Sequence, residues 1–498
     1  MTTQVDRAVI AGEADRVTAV PSTVAVPDGF VAVVKRDCPT CTLVVPVLRD
    51  LAARSTLHVY SQDDPTFPEG IATADDTALG VSFALEIDTV PTLLKLEGGS
   101  VTGRTEGWSR ERWEQLTGLG DLGADLPDFR PGCGSRTHDP DIADARAVAA
   151  MTPRIRSRRL ELGDSEDEHE AMFARGWTDG LPVVAPTLER VARMLTGTTR
   201  APDDLVATIP PDLVECSVEK VAINAVLAGC RPEYLPTVLA AVEAACTDEF
   251  NAHGLLATTY FSGPLVVVNG PVARAIGMNS GGNALGQGNR ANATIGRALQ
   301  LVIRNVGGGR PGEVDRATLG NPGKYTFCFA EDEAGSPWES LATERGVPPG
   351  RSAVTLFAAD GVRGVVDQLS RDPDSLARSF AACLRTVAHP KLAMVWDAML
   401  VVSPEHGRVF RDAGWSKTRL REALMAQLQL PGAEMVQGAG GIAEGLPAAF
   451  AGTTIPKFRD GGLLIVHAGG TAGLFSAIIG GWASGAVGSE AVTTTVGT

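Results

Sequence analysis

Cys38-Pro39-Thr40-Cys41 lies where an apolar run hands over to a helical pattern, and that junction constrains the N-terminal part of the chain more than any other feature. Val31-Ala32-Val33-Val34 reads as a buried strand, and from Pro39 the residues Leu43, Val44, Val47, Leu48 and Leu51 recur at the spacing of a helix packed on a sheet. A Cys-x-x-Cys at this place sets Cys38 beside the unpaired N–H groups of the helix start, which favour a thiolate. The expected outcome is a redox-active dithiol, with Cys38 attacking and Cys41 resolving. Asp37 precedes it, and a negative charge there is expected to oppose thiolate formation. Half of a zinc site and an inert structural pair are the alternatives, and against the first no second Cys-x-x-Cys exists and the next cysteine is Cys133.

With 498 residues, 44% of them hydrophobic, the chain has material for two or three domains with large cores. A formal net charge of −15 speaks against nucleic acid as a partner, because phosphate binding needs clustered Lys and Arg. Residues 1–28 are polar and acidic without an apolar core of signal-peptide length, which points to the cytoplasm. Residues 463–482 are apolar, yet their glycines and His467 favour a buried strand, a glycine turn and a helix over a membrane span. Eight cysteines spread along the chain do not form the pattern of a disulfide framework.

Downstream of the dithiol, Asp88-Thr89-Val90-Pro91-Thr92 leads into Leu93-Leu94-Lys95-Leu96, Gly98-Gly99, Gly107-Trp108 and a helix over 111–116. Together with the Cys-x-x-Cys, this closely resembles the thioredoxin and glutaredoxin family over about the first 120 residues. The resemblance implies a thioredoxin-like domain in which Pro91 is a cis-proline facing the dithiol.

Three parts follow: a thioredoxin-like domain over 1–125, a linker over 126–165 that carries Cys133, and an α/β catalytic domain over 166–498. The charge run at 161–170 reads as a solvated connector. In the large domain, helices are expected over 218–227, 235–246, 291–306, 375–388 and 417–428, and strands over 265–268, 353–357, 399–402 and 463–466. Two stretches share one plan, an apolar strand running into a glycine loop at 265–270 and again at 464–470, which suggests an internal duplication.

Those loops are the candidate ligand sites. Asn279, Asn283, Asn289 and Arg290 belong to a polar, glycine-rich segment that opens a helix, a place suited to a carboxylate or phosphate, with Arg297 adding charge. Gly469 and Gly470 form a shorter turn of the same kind. A long surface loop capped by Asn289 is the structural alternative for the first, and close helix-to-strand packing for the second. Lys324 and Cys328 lie near one another with carboxylates beyond them, and His406 falls at a strand end, so the three are candidates for substrate binding and acid–base work. His253, His389 and His467 are scattered singly and would make a metal site only by converging in three dimensions.

Cys133, between Gly132 and Gly134, reads as a flexible, accessible and therefore reactive thiol. Pro131-Gly132-Cys133-Gly134-Ser135, with Asp179-Gly180-Leu181-Pro182, resembles the selenoprotein group named for its Sec-Gly-Ser-Cys motif. The resemblance puts Cys133 in the place of the selenocysteine, while Arg136 stands where that motif has its last Cys. The sequence thus points to a thiol-dependent redox enzyme whose dithiol serves an α/β domain acting on a small anionic substrate by reductive bond cleavage or sulfur transfer. A thiol reductant or reductase is the implied partner, and a homo-oligomer is compatible with it. A metal-dependent lyase or hydrolase and a non-catalytic binding module are the alternatives.

Overall fold

The computed structural model describes residues 9–10, 26–163, 166–483 and 488–497 of an α/β protein. The chain divides into a smaller unit, residues 13–150, and a larger one formed by 1–12 and 151–498. Cys133 and its glycines, expected in a linker, therefore belong to the smaller unit.

The smaller unit is built on a five-stranded sheet in the order Thr73–Asp75, Leu57–Ser61, Gly29–Val34, Thr92–Glu97, Ser100–Glu106. The first three strands run parallel and the last two antiparallel. Val31, Ala32, Val33 and Val34 are fully buried, as a central strand covered on both faces requires. The helix expected after the dithiol breaks into Pro39–Leu43 and Val45–Arg54. Pro46 is the cause, since it lacks the N–H that would continue the ladder. The second piece presents Val47, Leu48 and Leu51 to the sheet. Trp108 and Trp113 close the other end of the core edge to face, 5.2 Å apart.

The larger unit contains two four-stranded sheets with one pairing plan. In the first, Gly263–Asn269 pairs parallel with Cys328–Ala330 on one side and antiparallel with Ala353–Ala359 on the other, and Val492–Thr495 completes the edge antiparallel. In the second, Trp396–Val402 pairs parallel with Leu463–His467 and antiparallel with Phe475–Ala483, and Val362–Val366 completes the edge antiparallel. Each half gives its last strand to the other: Val362–Val366 follows the first half in sequence but pairs in the second sheet, and Val492–Thr495 does the reverse. The internal duplication suggested by the two strand–glycine stretches thus takes the form of a repeated topology with exchanged edge strands.

Leu265, Val267, Phe329, Phe357, Met399, Val401, Val466 and Ile479 pack the two sheets face to face. Outer helices cover them, Val218–Ala228, Leu235–Ala245 and Arg290–Asn305 beside the first sheet, and Pro373–Leu384, Pro404–Asp412 and Lys417–Gln427 beside the second. Apolar periodicity locates five of these helices and the strands at 265–268, 353–357, 399–402 and 463–466 to within a few positions, whereas the helix Pro404–Asp412 and the edge strands Val362–Val366 and Val492–Thr495 are not expected from it. One expectation fails: residues after the glycine turn at 469–473 form the strand Phe475–Ala483 and not a helix. Its buried Ile478 and Ile479 are β-branched and serve a two-sided strand between neighbours, which a short apolar run does not distinguish from a buried helix. No helix among the described residues is long and apolar enough to cross a membrane.

Candidate functional site

Two groups of functional side chains emerge, one in each unit. In the smaller unit, Cys38 caps the helix Pro39–Leu43, and its Sγ accepts the backbone N–H of Cys41 at 3.3 Å. The same sulfur lies 3.5 Å from the carbonyl oxygen of Val90, whose peptide bond to Pro91 is cis. Cys41 Sγ accepts the N–H of Lys35 at 3.4 Å. Cys38 is 1% exposed and Cys41 fully buried, whereas Cys133 is half-buried.

The three thiols share one proton-donor network. Cys38 is held down to about 5, chiefly by the Cys41 thiol donating to it, with further help from the Cys133 thiol and the N–H groups of Cys41 and Thr40, against the opposing effect of burial. Burial pushes the Cys41 thiol far up, and the hydrogen bond and charge of Cys38 push it further. Burial also raises Cys133, and the bond to Cys38 and its charge act in the same direction. The helix start therefore contributes as expected, but a neighbouring thiol is the larger influence. Asp37, expected to oppose the thiolate, is solvent-exposed, its N–H tied to Asp63, where water screens its charge.

Cys133 does not sit on a flexible segment. It lies on the strand Cys133–Gly134, antiparallel to Thr89–Val90, and Thr40 Oγ1 donates to the carbonyl of Pro131 at 2.7 Å. Gly132 is there for close approach, because a Cβ on it would stand 2.3 Å from Thr89 Cγ2 and 2.8 Å from the Val90 oxygen. Gln62 Nε2 donates to Ser135 Oγ, and Arg136 Nη1 to the Gln62 carbonyl, both at 2.7 Å. Arg136, in the position of the missing second Cys, thus anchors the segment.

In the larger unit the two glycine loops meet. The N–H of Gly469 donates to the carbonyl of Ser280 at 2.9 Å, and Gly470 lies so close to Gly282 that a Cβ would be 3.3 Å from its Cα. Beside this contact are two adjoining cavities of about 440 and 770 Å³, sharing Leu285, Gly286 and Val362 as walls. Asn283, Gly469 and Gly470 line the smaller one and Cys328 the larger. Asn279 instead organises its own loop, accepting from Gly281 N and donating to Gly282 O, and Asn289 caps the helix Arg290–Asn305 through Asn292 N.

Neither arginine expected to hold an anion lines either cavity. Arg290 Nε donates to the Gly229 carbonyl at 2.9 Å, and Arg297 grips Asp179 through two 2.8 Å bonds. Lys324 is paired with Asp315 at 2.8 Å. Cys328 is buried, and burial raises its thiol well above its ordinary range, which disfavours the thiolate that a nucleophile needs.

His406 is fully buried and hydrogen-bonded to Ser476, which lines the smaller cavity. Its Nε2 is 2.9 Å from the Asp367 carbonyl, which only accepts, so in the neutral ring Nδ1 accepts from the Ser476 hydroxyl 2.8 Å away. Ser403, which lines the same cavity and stands at the N-cap position of the helix Pro404–Asp412 without a side-chain bond to it, has a buried Oγ without a hydrogen-bond partner. In the larger cavity Tyr260 donates to Asp360 at 2.9 Å, and burial raises both above their ordinary ranges. Ser403, Ser476, Tyr260 and Asp360 have no motif to mark them; only the fold gathers them.

The three histidines that could form a metal site only by converging do not converge. His253 is exposed on the helix Ala252–Ala257, His389 Nδ1 accepts the N–H of Lys391, and His467 is buried against Asp332. Among the described residues no group of three or more His, Cys, Asp or Glu could hold a metal ion. The chain matches no family profile, no curated protein and no solved structure.

Proposed function

We propose that this protein is a thiol–disulfide oxidoreductase in which Cys38 attacks, Cys41 resolves, and the dithiol serves chemistry on a small molecule bound in the cleft of the larger unit. The observation that carries this is the split between two cysteines three residues apart: Cys38 is held down to about 5 and Cys41 is held up by burial and by its neighbour's charge. A thiolate is the nucleophile of exchange, and a low-pKa sulfur is also the better leaving group, so Cys38 suits both halves of the cycle. Once Cys38 enters a mixed disulfide its negative charge is gone. One of the influences that keep Cys41 protonated goes with it, and Cys41 becomes a better attacker at the moment it is needed. The thioredoxin resemblance of the sequence supports the same roles. The cleft, with Asn283 and the glycines at 469 and 470 on its wall, suits a compact polar substrate.

The test is to equilibrate the full chain with glutathione and glutathione disulfide over a range of ratios and to map disulfides by peptide mass. A Cys38–Cys41 bond that forms and breaks reversibly is expected. A chain in which that bond forms at no ratio overturns the proposal.

A further inference from the structure

The short strand Thr89–Val90 borders the dithiol, and its edge is taken by residues of the same unit. Cys133 stands opposite Val90 in antiparallel register, and Val90 is the residue whose carbonyl faces Cys38 Sγ at 3.5 Å. The Cys133 thiol comes within hydrogen-bonding reach of Cys38 and packs on the core that holds both dithiol sulfurs. Clasps on both sides fix the register: Thr40 on Pro131, and Ser135 N donating to the Asp88 carbonyl at 2.9 Å. The arrangement is that of a bound partner strand presenting its cysteine to the attacking sulfur, except that the strand is part of the chain. An incoming polypeptide would find this edge occupied. Of the three sulfurs, Cys133 belongs to the most exposed residue.

We infer that Cys133 is the in-chain exchange partner of Cys38, taking up an RS group from a low-molecular-weight disulfide, losing it again as RS⁻ to the attack of Cys38, and so handing the disulfide on as a Cys38–Cys133 bond. The inference rests on the assignment of Cys38 as attacking thiolate. In the first step the Cys133 thiol gives its proton to the Cys38 thiolate beside it and its sulfur attacks RSSR; one S–S bond breaks, and the departing RS⁻ takes that proton from Cys38 and leaves as RSH, so that Cys38 is again a thiolate. In the second, the Cys38 thiolate attacks Cys133 Sγ, the bond to the remaining RS group breaks, and RS⁻ departs. In the third, Cys41 sulfur attacks Cys38 Sγ, the Cys38–Cys133 bond breaks, and the Cys41 proton ends on Cys133. The sum is one RSSR reduced to two thiols and one Cys38–Cys41 disulfide formed, two electrons passing from the dithiol to the small disulfide.

The test treats full-length Cys41→Ser with glutathione disulfide and maps the products by peptide mass. The expected product is a Cys38–Cys133 disulfide with no glutathione retained, because the third step is blocked. In the Cys41→Ser, Cys133→Ser double variant, glutathione should load on Cys38 at least about tenfold more slowly. In the otherwise intact chain, Cys133→Ser should slow formation of the Cys38–Cys41 bond by the same factor, a readout independent of whether Cys41→Ser folds. Glutathione on Cys38 at equal rates with and without Cys133, or glutathione stranded on Cys133, would overturn the inference and leave the exchange role of Cys38 standing. No disulfide at Cys38 in any variant would overturn that role as well.

Discussion

The N–H of Gly469 donates to the carbonyl of Ser280 across 2.9 Å, tying together two glycine loops that lie almost two hundred residues apart in the chain. Each loop follows a buried strand of one half of the duplicated unit, so their meeting places a cleft at the seam between the two sheets. Backbone, rather than charged side chains, forms the contact, and Arg290, Arg297 and Lys324 do not line the cavities beside it.

Arg290→Ala should therefore leave binding of a cleft ligand unchanged and cost about 0.5–1.5 kcal/mol of stability, the net value of one ordinary hydrogen bond, because water around the exposed guanidinium offsets the gain from its charge. The sequence alone suggests the reverse, a loss of affinity with stability kept. Urea unfolding beside calorimetric titration of a candidate carboxylate tells the two apart, and a weakened affinity would return Arg290 to the site.

Ser403→Ala removes a buried hydroxyl that has no partner. Stability should stay level or rise by up to about 1 kcal/mol, since the desolvation cost of the orphan oxygen disappears. A clear loss on thermal unfolding would mean that the hydroxyl serves the fold, and its candidacy as a ligand contact would lapse.

The pH dependence of the reduced protein follows from Cys38. Its folded value, about 5, lies below its ordinary 9.0, so the folded state binds fewer protons than the unfolded one between those limits. Stability from this group should rise with pH from about 5 to 9, be fully present above 9, and be lost as pH falls through 5. Cys41, raised in the fold, works against further gain above its own ordinary value of 9.0. Urea midpoints of reduced wild type and Cys38→Ser across this window should diverge as pH rises. Parallel curves would show that Cys38 is no thiolate, as would thiolate ultraviolet absorbance appearing only near 9.

Gly132→Ala and Gly134→Ala form a matched pair around Cys133. The first puts a methyl 2.3 Å from Thr89 Cγ2, while the second meets nothing within 4 Å. Gly132→Ala should cost about 1–3 kcal/mol through overpacking and speed alkylation of Cys133 as its strand lifts. Gly134→Ala should change stability by less than about 0.5 kcal/mol. Equal behaviour of the two variants in unfolding and alkylation would contradict the docked strand.

Features that residues impose on their near neighbours are legible in the sequence by itself. The strand at Val31 to Val34, the dithiol at a helix start, the helix Arg290–Asn305 with its Asn289 cap and the buried strands at the centre of both sheets all follow from spacing within a dozen positions, because side-chain period and capping are local. The strand Phe475–Ala483 is not legible in the same way, because its short apolar run satisfies either period until neighbouring strands pair with it. What only the tertiary structure decided are the encounters across long stretches of chain. Cys133 meets Cys38 because the carbonyl of Pro131 finds Thr40 some 91 residues away and because Gly132 has no Cβ to hold the strands apart. Arg297 is spent on Asp179, 118 residues before it, and Ser476 turns toward His406, 70 residues before it. No periodicity encodes such pairs. They arise when burial leaves each polar group one partner within reach, and that partner is chosen by how the strands are ordered in the sheets.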